Sequence, residues 1–226
     1  RMTDFALFRT PNETFATRFI QTSGRAEAVG RYTLLNHAEG FVFAPFTISK
    51  DCPILVIRPD VVERVELTTR GVLPQQSVAS SCSTAVPVTP GYHRDFQLFH
   101  QQLLDGRFDK IVLSRSEDFS LQARTNAEEM FRLACAAYPQ QFVALVSTRC
   151  AGTWLMATPE VLIEKQIGSP AWHTMALAGT MREDGPWSEK DCREQQYVAD
   201  YIAQHLANHA IEGRRSQPYT RMAANL

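Results

Sequence analysis

Four short apolar runs follow one another between residues 142 and 177, and their spacing is the feature that most restricts the fold. Each run is rich in β-branched or aromatic residues, which is typical of β-strands. The connections between the runs are only a few residues long, whereas neighbouring parallel strands require a crossover of a dozen residues or more. We therefore predict antiparallel strands at 142–147, 153–157, 161–165 and 172–177.

Helical patterns lie apart from these runs and do not alternate with them, which predicts an α+β fold. We expect a large, mostly antiparallel sheet with helices packed outside it. Further strands are predicted at 41–46, 54–57 and 110–121. The predicted helices are 93–104, ended by Asp105 and Gly106; 125–138, begun by a capping box of Thr125 and Glu128; and 189–210, begun by Ser188 and Asp191.

The chain has 226 residues, which is enough for one large domain with a substantial core. We predict a single domain with a strand-rich part over 1–91 and a second part over 92–226 that carries the residues suited to chemistry. Serine and proline cluster over 71–91, which indicates a surface excursion. The last residues, 211–226, resemble a connection that is cut short.

Charge and cysteine content limit the class of partner and the compartment. A formal net charge of −1 gives no electrostatic reason to expect nucleic acid or an anionic membrane, so we expect a small molecule. The five cysteines are widely spaced and odd in number, which favours reduced thiols and a cytoplasmic protein. No window is apolar and long enough to predict a membrane span or a secretory leader.

Lys110 is a candidate general base. It opens the predicted strand over 110–121, and the apolar residues that follow it predict a mostly buried strand. An ammonium in such surroundings is costly to keep charged, so the neutral amine could accept a proton near neutral pH. Taken alone, Lys110 is more simply explained as a strand-end lysine whose ammonium reaches water.

Glu160 is a candidate general acid. It follows Pro159 between two of the predicted strands, and a carboxyl held partly out of water there would keep its proton and could donate it to a leaving hydroxyl. Taken alone, Glu160 is better explained as a turn glutamate that faces solvent. Alone, neither Lys110 nor Glu160 establishes a catalytic site.

The turn at 177–180 could hold an anion or a polar ligand. It offers backbone N–H groups and a hydroxyl, and its glycine lets the backbone approach a ligand closely. The phosphate-loop and dinucleotide-binding patterns are both missing, and a plain turn after a strand also explains the sequence. Its residues are Leu177, Ala178, Gly179 and Thr180.

Asp191 and Glu194 stand three residues apart on the last predicted helix, so they share one face of it. Two carboxylates on one face suit Mg²⁺, which takes one or two protein carboxylates and keeps several waters. The alternative is structural: Asp191 caps the helix, and Glu194 pairs with Lys190.

These segments together resemble the chorismate-binding enzymes, which include isochorismate, anthranilate and salicylate synthases. The four segments occur in order and at the expected separations. The family's lysine in the first segment marks the members that add water to chorismate. The correspondences are residues 108–115 with D-K-V-V-L-S-R, 152–160 with G-x-x-L-x-A-[ST]-P-E, 176–180 with P-L-A-G-T, and 189–194 with E-K-D-x-x-E.

The resemblance implies an isochorismate synthase and assigns roles to the candidate residues. Lys110 would activate water for attack at C2 of chorismate, and Glu160 would protonate the departing C4 hydroxyl. Glu194, with Asp191, would hold Mg²⁺ against the ring carboxylate. Backbone at Ala178, Gly179 and Thr180 would position the substrate, and Leu177 would shape the pocket. A lysine in place of Ala178 would instead suggest aminodeoxychorismate synthesis.

The sequence also departs from the family pattern. Ala176 replaces the usual proline, and family members continue into a C-terminal part that supplies a second pair of acidic ligands and groups for the substrate carboxylates. We therefore expect half of the site to be absent from these residues. A full-length member would be a monomer, whereas exposed apolar surface would allow a fragment that ends here to self-associate. Two alternatives stay open: a salicylate synthase, which goes on to eliminate pyruvate, and a catalytically inactive fragment.

Overall fold

A computed structural model describes residues 3–67, 90–118, 126–181 and 185–222. The described residues form an α+β fold, as predicted, with antiparallel sheets and three α-helices. The elements in chain order are β1 (Asp4–Arg9), β2 (Phe15–Gln21), β3 (Glu27–Val29), β4 (Phe41–Phe43), β5 (Ile54–Ile57), β6 (Val61–Glu66), α1 (Pro90–Leu104), α2 (Ala127–Ala137), β7 (Phe142–Thr148), β8 (Gly152–Thr158), β9 (Glu164–Lys165), β10 (Trp172–His173) and α3 (Glu189–Asn208).

The described residues fall into two compact units. The first contains the described parts of Arg1–Val72 and Gln122–Pro159 together with Met222, and the second contains those of Leu73–Leu121 and Glu160–Arg221. The predicted surface excursion over 71–91 lies almost entirely outside the described residues, as do Thr125 and Cys82. The division at residue 91 stays a prediction.

The first unit is built on a five-stranded antiparallel sheet in the order β6-β2-β1-β7-β8. Alternate residues of a strand point to opposite faces, so both faces of the central strands can be covered. On one face Leu7 and Leu145 pack with Phe131 of α2, and on the other Ala6 and Val146 pack with Ile57 of β5. The core of this unit therefore has α2 on one side of the sheet and the small sheet β3-β5-β4 on the other.

The N-cap of helix α2 is Asn126, one residue after the predicted cap Thr125. The side chain of Asn126 accepts hydrogen bonds from the backbone N–H groups of Glu128 and Glu129, and two acidic residues in the first turn favour the positive end of the helix dipole. The predicted capping box relied on Thr125, which is not among the described residues. An asparagine cap is equally effective, and the existence of the helix does not depend on which residue supplies it.

The second unit contains α1, the hairpin β9-β10 and α3. Ser188 caps α3 as predicted, because its hydroxyl accepts a hydrogen bond from the Asp191 backbone N–H at 3.1 Å. The strands predicted at 161–165 and 172–177 are largely wrong: the structure keeps only two residues of each, Glu164–Lys165 and Trp172–His173.

The strand predicted at 110–121 is also wrong over its described part, since residues 110–118 form no regular secondary structure. A strand is stable only when its backbone N–H and C=O groups pair with a neighbour, and in the described parts of the chain no strand pairs with this segment. Val112 is 76% exposed, so the expected burial of the segment is not observed there either.

Candidate functional site

The predicted base and the main predicted metal ligand contact each other directly. The Lys110 ammonium donates a hydrogen bond to Oε1 of Glu194 at 2.8 Å. Both side chains are about one-third exposed, at 31% and 33%, so water reaches the pair but does not surround it. The contact joins the segment over 108–115 to the helix α3, two of the four segments that define the predicted site.

The contact also corrects the structural alternative for Glu194. The sequence offered Lys190, four residues earlier on the same helix, as its partner, but the structure pairs Glu194 with Lys110. Glu194 is half-buried on α3, whereas Lys190 is exposed. The face of α3 that carries Glu194 is therefore turned toward the segment that carries Lys110.

Asp191 helps to cap α3, as the structural alternative for this residue predicted. Its Oδ2 accepts a hydrogen bond from the Ser188 hydroxyl at 2.6 Å, while its backbone N–H donates to the same hydroxyl. A carboxylate in the first turn also favours the positive end of the helix dipole. Asp191 is half-buried and lies against the turn over 177–180, so its capping role places its side chain beside the proposed substrate residues.

The turn itself requires a glycine for two reasons. Gly179 has a φ of +78°, a left-handed conformation that residues with a Cβ adopt at a cost. A Cβ at this position would also lie 3.0 Å from the ring of Trp187 and 3.4 Å from the Cβ of Asp191. A side chain at this position would therefore be strained and would crowd the start of α3, so the close approach of the turn favours glycine.

Trp187 was missed by the sequence analysis, although a signal was present. It directly precedes the cap Ser188, where an apolar residue often packs against the helix it introduces. Its indole N–H donates a hydrogen bond to the Thr220 hydroxyl at 2.8 Å, and its ring lies over Gly179. Trp187 thus fixes the turn against α3.

A second contact ties the same segment to α3 further along. The side-chain amide of Gln195 donates a hydrogen bond to the carbonyl oxygen of Ala176 at 3.3 Å. Leu177 and Ala178 line a cavity of about 870 Å³ between this segment, α3 and residues 210–221. Of the four residues predicted to contact substrate, these two face the cavity.

Glu160 lies just after β8 and is exposed, whereas the sequence predicted a carboxyl held partly out of water. The strand expected to begin at Val161 does not form there, and the first strand after Glu160 is β9, Glu164–Lys165. The placement of Glu160 is therefore a correction to the sequence analysis, and its predicted role as an acid stays a prediction.

The two carboxylates on α3 are of the kind that binds Mg²⁺, and each already accepts a hydrogen bond, Asp191 from Ser188 and Glu194 from Lys110. Mg²⁺ is commonly held by one or two carboxylates with water completing the octahedron. Asp191 and Glu194 supply two carboxylates within one helical turn, and a cation, the Lys110 ammonium, already lies on Glu194. Among the described residues no group of three or more acidic, histidine or cysteine side chains is arranged to hold a metal.

Several other expectations concern surfaces. In the described parts of the chain, no helix combines the length and apolar character needed to cross a bilayer. Large apolar side chains are exposed in the second unit, among them Leu162 at 87% and Ile167 at 105%. Self-association, the absence of nucleic-acid partners and the cytoplasmic location stay predictions.

Comparison with known proteins identifies the class to which this α+β chain belongs. The family model described as "Chorismate binding enzyme" matches residues 38–223, which is most of the chain. The chain therefore belongs to the chorismate-binding enzymes, a family of enzymes that act on chorismate. It matches no curated protein and no solved structure.

Proposed function

We propose that the protein is an isochorismate synthase, which isomerises chorismate by adding water at C2 and removing the hydroxyl at C4. The observation that carries the proposal is the 2.8 Å contact between Lys110 and Glu194, because it joins the segment that carries the proposed base to the helix that carries the proposed metal ligands. Family membership supplies the substrate class.

Lys110 is the base in this proposal. Its amine takes a proton from water as the water oxygen bonds to C2 of the ring. The two ring double bonds shift, and the bond between C4 and its hydroxyl oxygen breaks. Removing a proton from the water as it attacks lowers the barrier, because a hydroxide-like nucleophile then forms only in the transition state.

Glu160 is the acid. Its carboxyl gives a proton to the departing C4 oxygen, which leaves as water, so one water enters and one leaves and the product is an isomer of the substrate. For this step the carboxyl must be protonated when chorismate is bound. Glu160 is exposed in the structure.

The turn over 177–180 positions the substrate. Trp187 packs against Gly179 of this turn, and Gln195 donates to the carbonyl oxygen of Ala176 just before it, so the turn would need little rearrangement to bind a ligand carboxylate or hydroxyl. Glu194 with Asp191 would hold Mg²⁺, which supplies positive charge opposite the ring carboxylate. The groups that orient chorismate are thus on two elements with direct contacts between them.

The test is incubation of the purified chain with chorismate and Mg²⁺, followed by chromatography of the products. Isochorismate as the product supports the proposal. Salicylate together with pyruvate supports the salicylate synthase, which carries out the same first step. Bound chorismate without any product contradicts both and favours a non-catalytic chorismate-binding segment.

A further inference from the structure

Glu194 is the point at which two proposed roles meet. Its Oε1 accepts the hydrogen bond from the Lys110 ammonium, and the same carboxylate is the main proposed ligand for Mg²⁺. Each role requires a cation in direct contact with one carboxylate group. The structure shows the first of these cations in place.

The Glu194 carboxylate cannot bind the two cations together as strongly as it would bind either one alone. A metal ion coordinated by either oxygen of Glu194 would lie within a few ångströms of the ammonium, and the two positive charges would repel each other. The site is only about one-third exposed, so water screens this repulsion incompletely.

We propose that Glu194 serves two cations in turn: the Lys110 ammonium occupies it until Mg²⁺ binds, and Mg²⁺ binding displaces Lys110 from α3. This inference rests on the metal assignment in the proposed function and adds a competition to it. A bound metal would then have two effects: it would supply positive charge for the substrate carboxylate, and it would release the side chain of Lys110 from its ion pair.

Direct metal titration tests the competition without any turnover. Calorimetric titration of the full chain with MgCl₂ should show that Lys110→Met lowers the Kd about three- to tenfold, the range expected when a partly exposed competing charge is removed. Lys110→Arg keeps the charge and should leave the Kd within about twofold of the parent value. Glu194→Gln should weaken binding in either background.

Lys190→Met is the matched control. Lys190 lies on the first turn of α3, and it is exposed and next to Asp191 in sequence, so its removal deletes the same charge without deleting the ion pair. Screening by water and salt should keep the change in Kd below about twofold. Circular dichroism and thermal unfolding of each variant establish that the fold is retained.

The side-chain NH₃⁺ signal of Lys110, assigned by its loss in Lys110→Met, supplies a second readout. Adding MgCl₂ should shift this signal in the parent protein and leave it unchanged in Glu194→Gln.

The proposed competition is overturned if the Kd of Lys110→Met for Mg²⁺ equals the parent value, or if Lys190→Met lowers the Kd by the same factor as Lys110→Met. If isochorismate still forms with Mg²⁺ in that case, the proposed function stands while this inference fails. If no variant binds Mg²⁺, the inference and the metal assignment both fail, and the chorismate assay decides the proposed reaction separately.

Discussion

The ammonium of Lys110 lies 2.8 Å from Oε1 of Glu194, across a sequence separation of 84 residues. The contact connects an irregular segment to a regular helix. Because both side chains are partly exposed, the ion pair contributes no more than about 1 kcal/mol to folding. Its importance is therefore expected in activity and metal binding, with little effect on stability.

Replacing Lys110 by alanine should abolish water addition while leaving the fold intact. Loss of a general base lowers kcat by about 10²- to 10⁴-fold. The measurement is isochorismate formation under saturating chorismate, with thermal unfolding as the test of folding. Lys190→Ala, which removes an exposed lysine from α3, should keep parent activity. An unchanged rate in Lys110→Ala would refute its assignment as the base.

Replacing Glu160 by glutamine should remove the acid with little change of shape. The departing hydroxyl then leaves without a proton donor, so kcat should fall by about 10²- to 10⁴-fold while chorismate binding changes less. Glu164→Gln, in β9, is the control because Glu164 is also exposed and close in sequence. Equal losses in the two variants would assign the effect to surface charge.

Gly179→Ala should destabilise the second unit. The backbone at residue 179 is left-handed, a conformation that alanine adopts at a cost. The new Cβ would also lie 3.0 Å from the Trp187 ring, so the turn or the ring must move. We expect a loss of about 1–2 kcal/mol in thermal unfolding, together with a raised KM for chorismate. At Gly185 an added Cβ meets nothing within 4 Å, so Gly185→Ala should have little effect. Equal stability of the two variants would contradict this reading of the turn.

Asp4 should make the stability of the first unit dependent on pH. Burial opposes its ionised form, but hydrogen bonds from the Ala26 and Arg149 backbone N–H groups and the Arg149 guanidinium outweigh burial and hold the pKa of Asp4 below its ordinary value. A lowered pKa in the folded protein means that the stabilisation is present above the unfolded pKa of about 3.9 and is lost as pH falls through the folded pKa.

Asp4→Asn should therefore lower the free energy of unfolding by about 2 kcal/mol at pH 7, since hydrogen bonds to a buried charge are lost or reversed. The difference from the parent protein should shrink progressively below about pH 4. Denaturant unfolding across this pH range is the measurement, and Asp51→Asn, at an exposed bend, is the control. A constant difference across the range would show that the charge of Asp4 is not responsible.

Local patterns predicted the elements that depend mainly on local interactions. The helix after Ser188 and the hairpin of β7 and β8 form close to the predicted bounds, because a cap, an apolar periodicity and a short connection all act within a few residues. β1 was missed, although it is the central strand of the five-stranded sheet. In this strand Ala6 pairs with Val146, which is far away in sequence. A local sequence pattern does not identify so distant a pairing partner.

The sequence by itself determined the fold class, the family and the residue types of the site, since these depend on periodicity, capping and the order of four short segments. Only the tertiary structure decided that residues 110–118 form no strand and that Glu194 pairs with Lys110 in place of Lys190. It also decided that Trp187 holds the turn at Gly179. The physical reason is common to all three: strand pairing, ion pairing and close packing depend on which distant segments meet, and sequence spacing along one segment does not specify its partner.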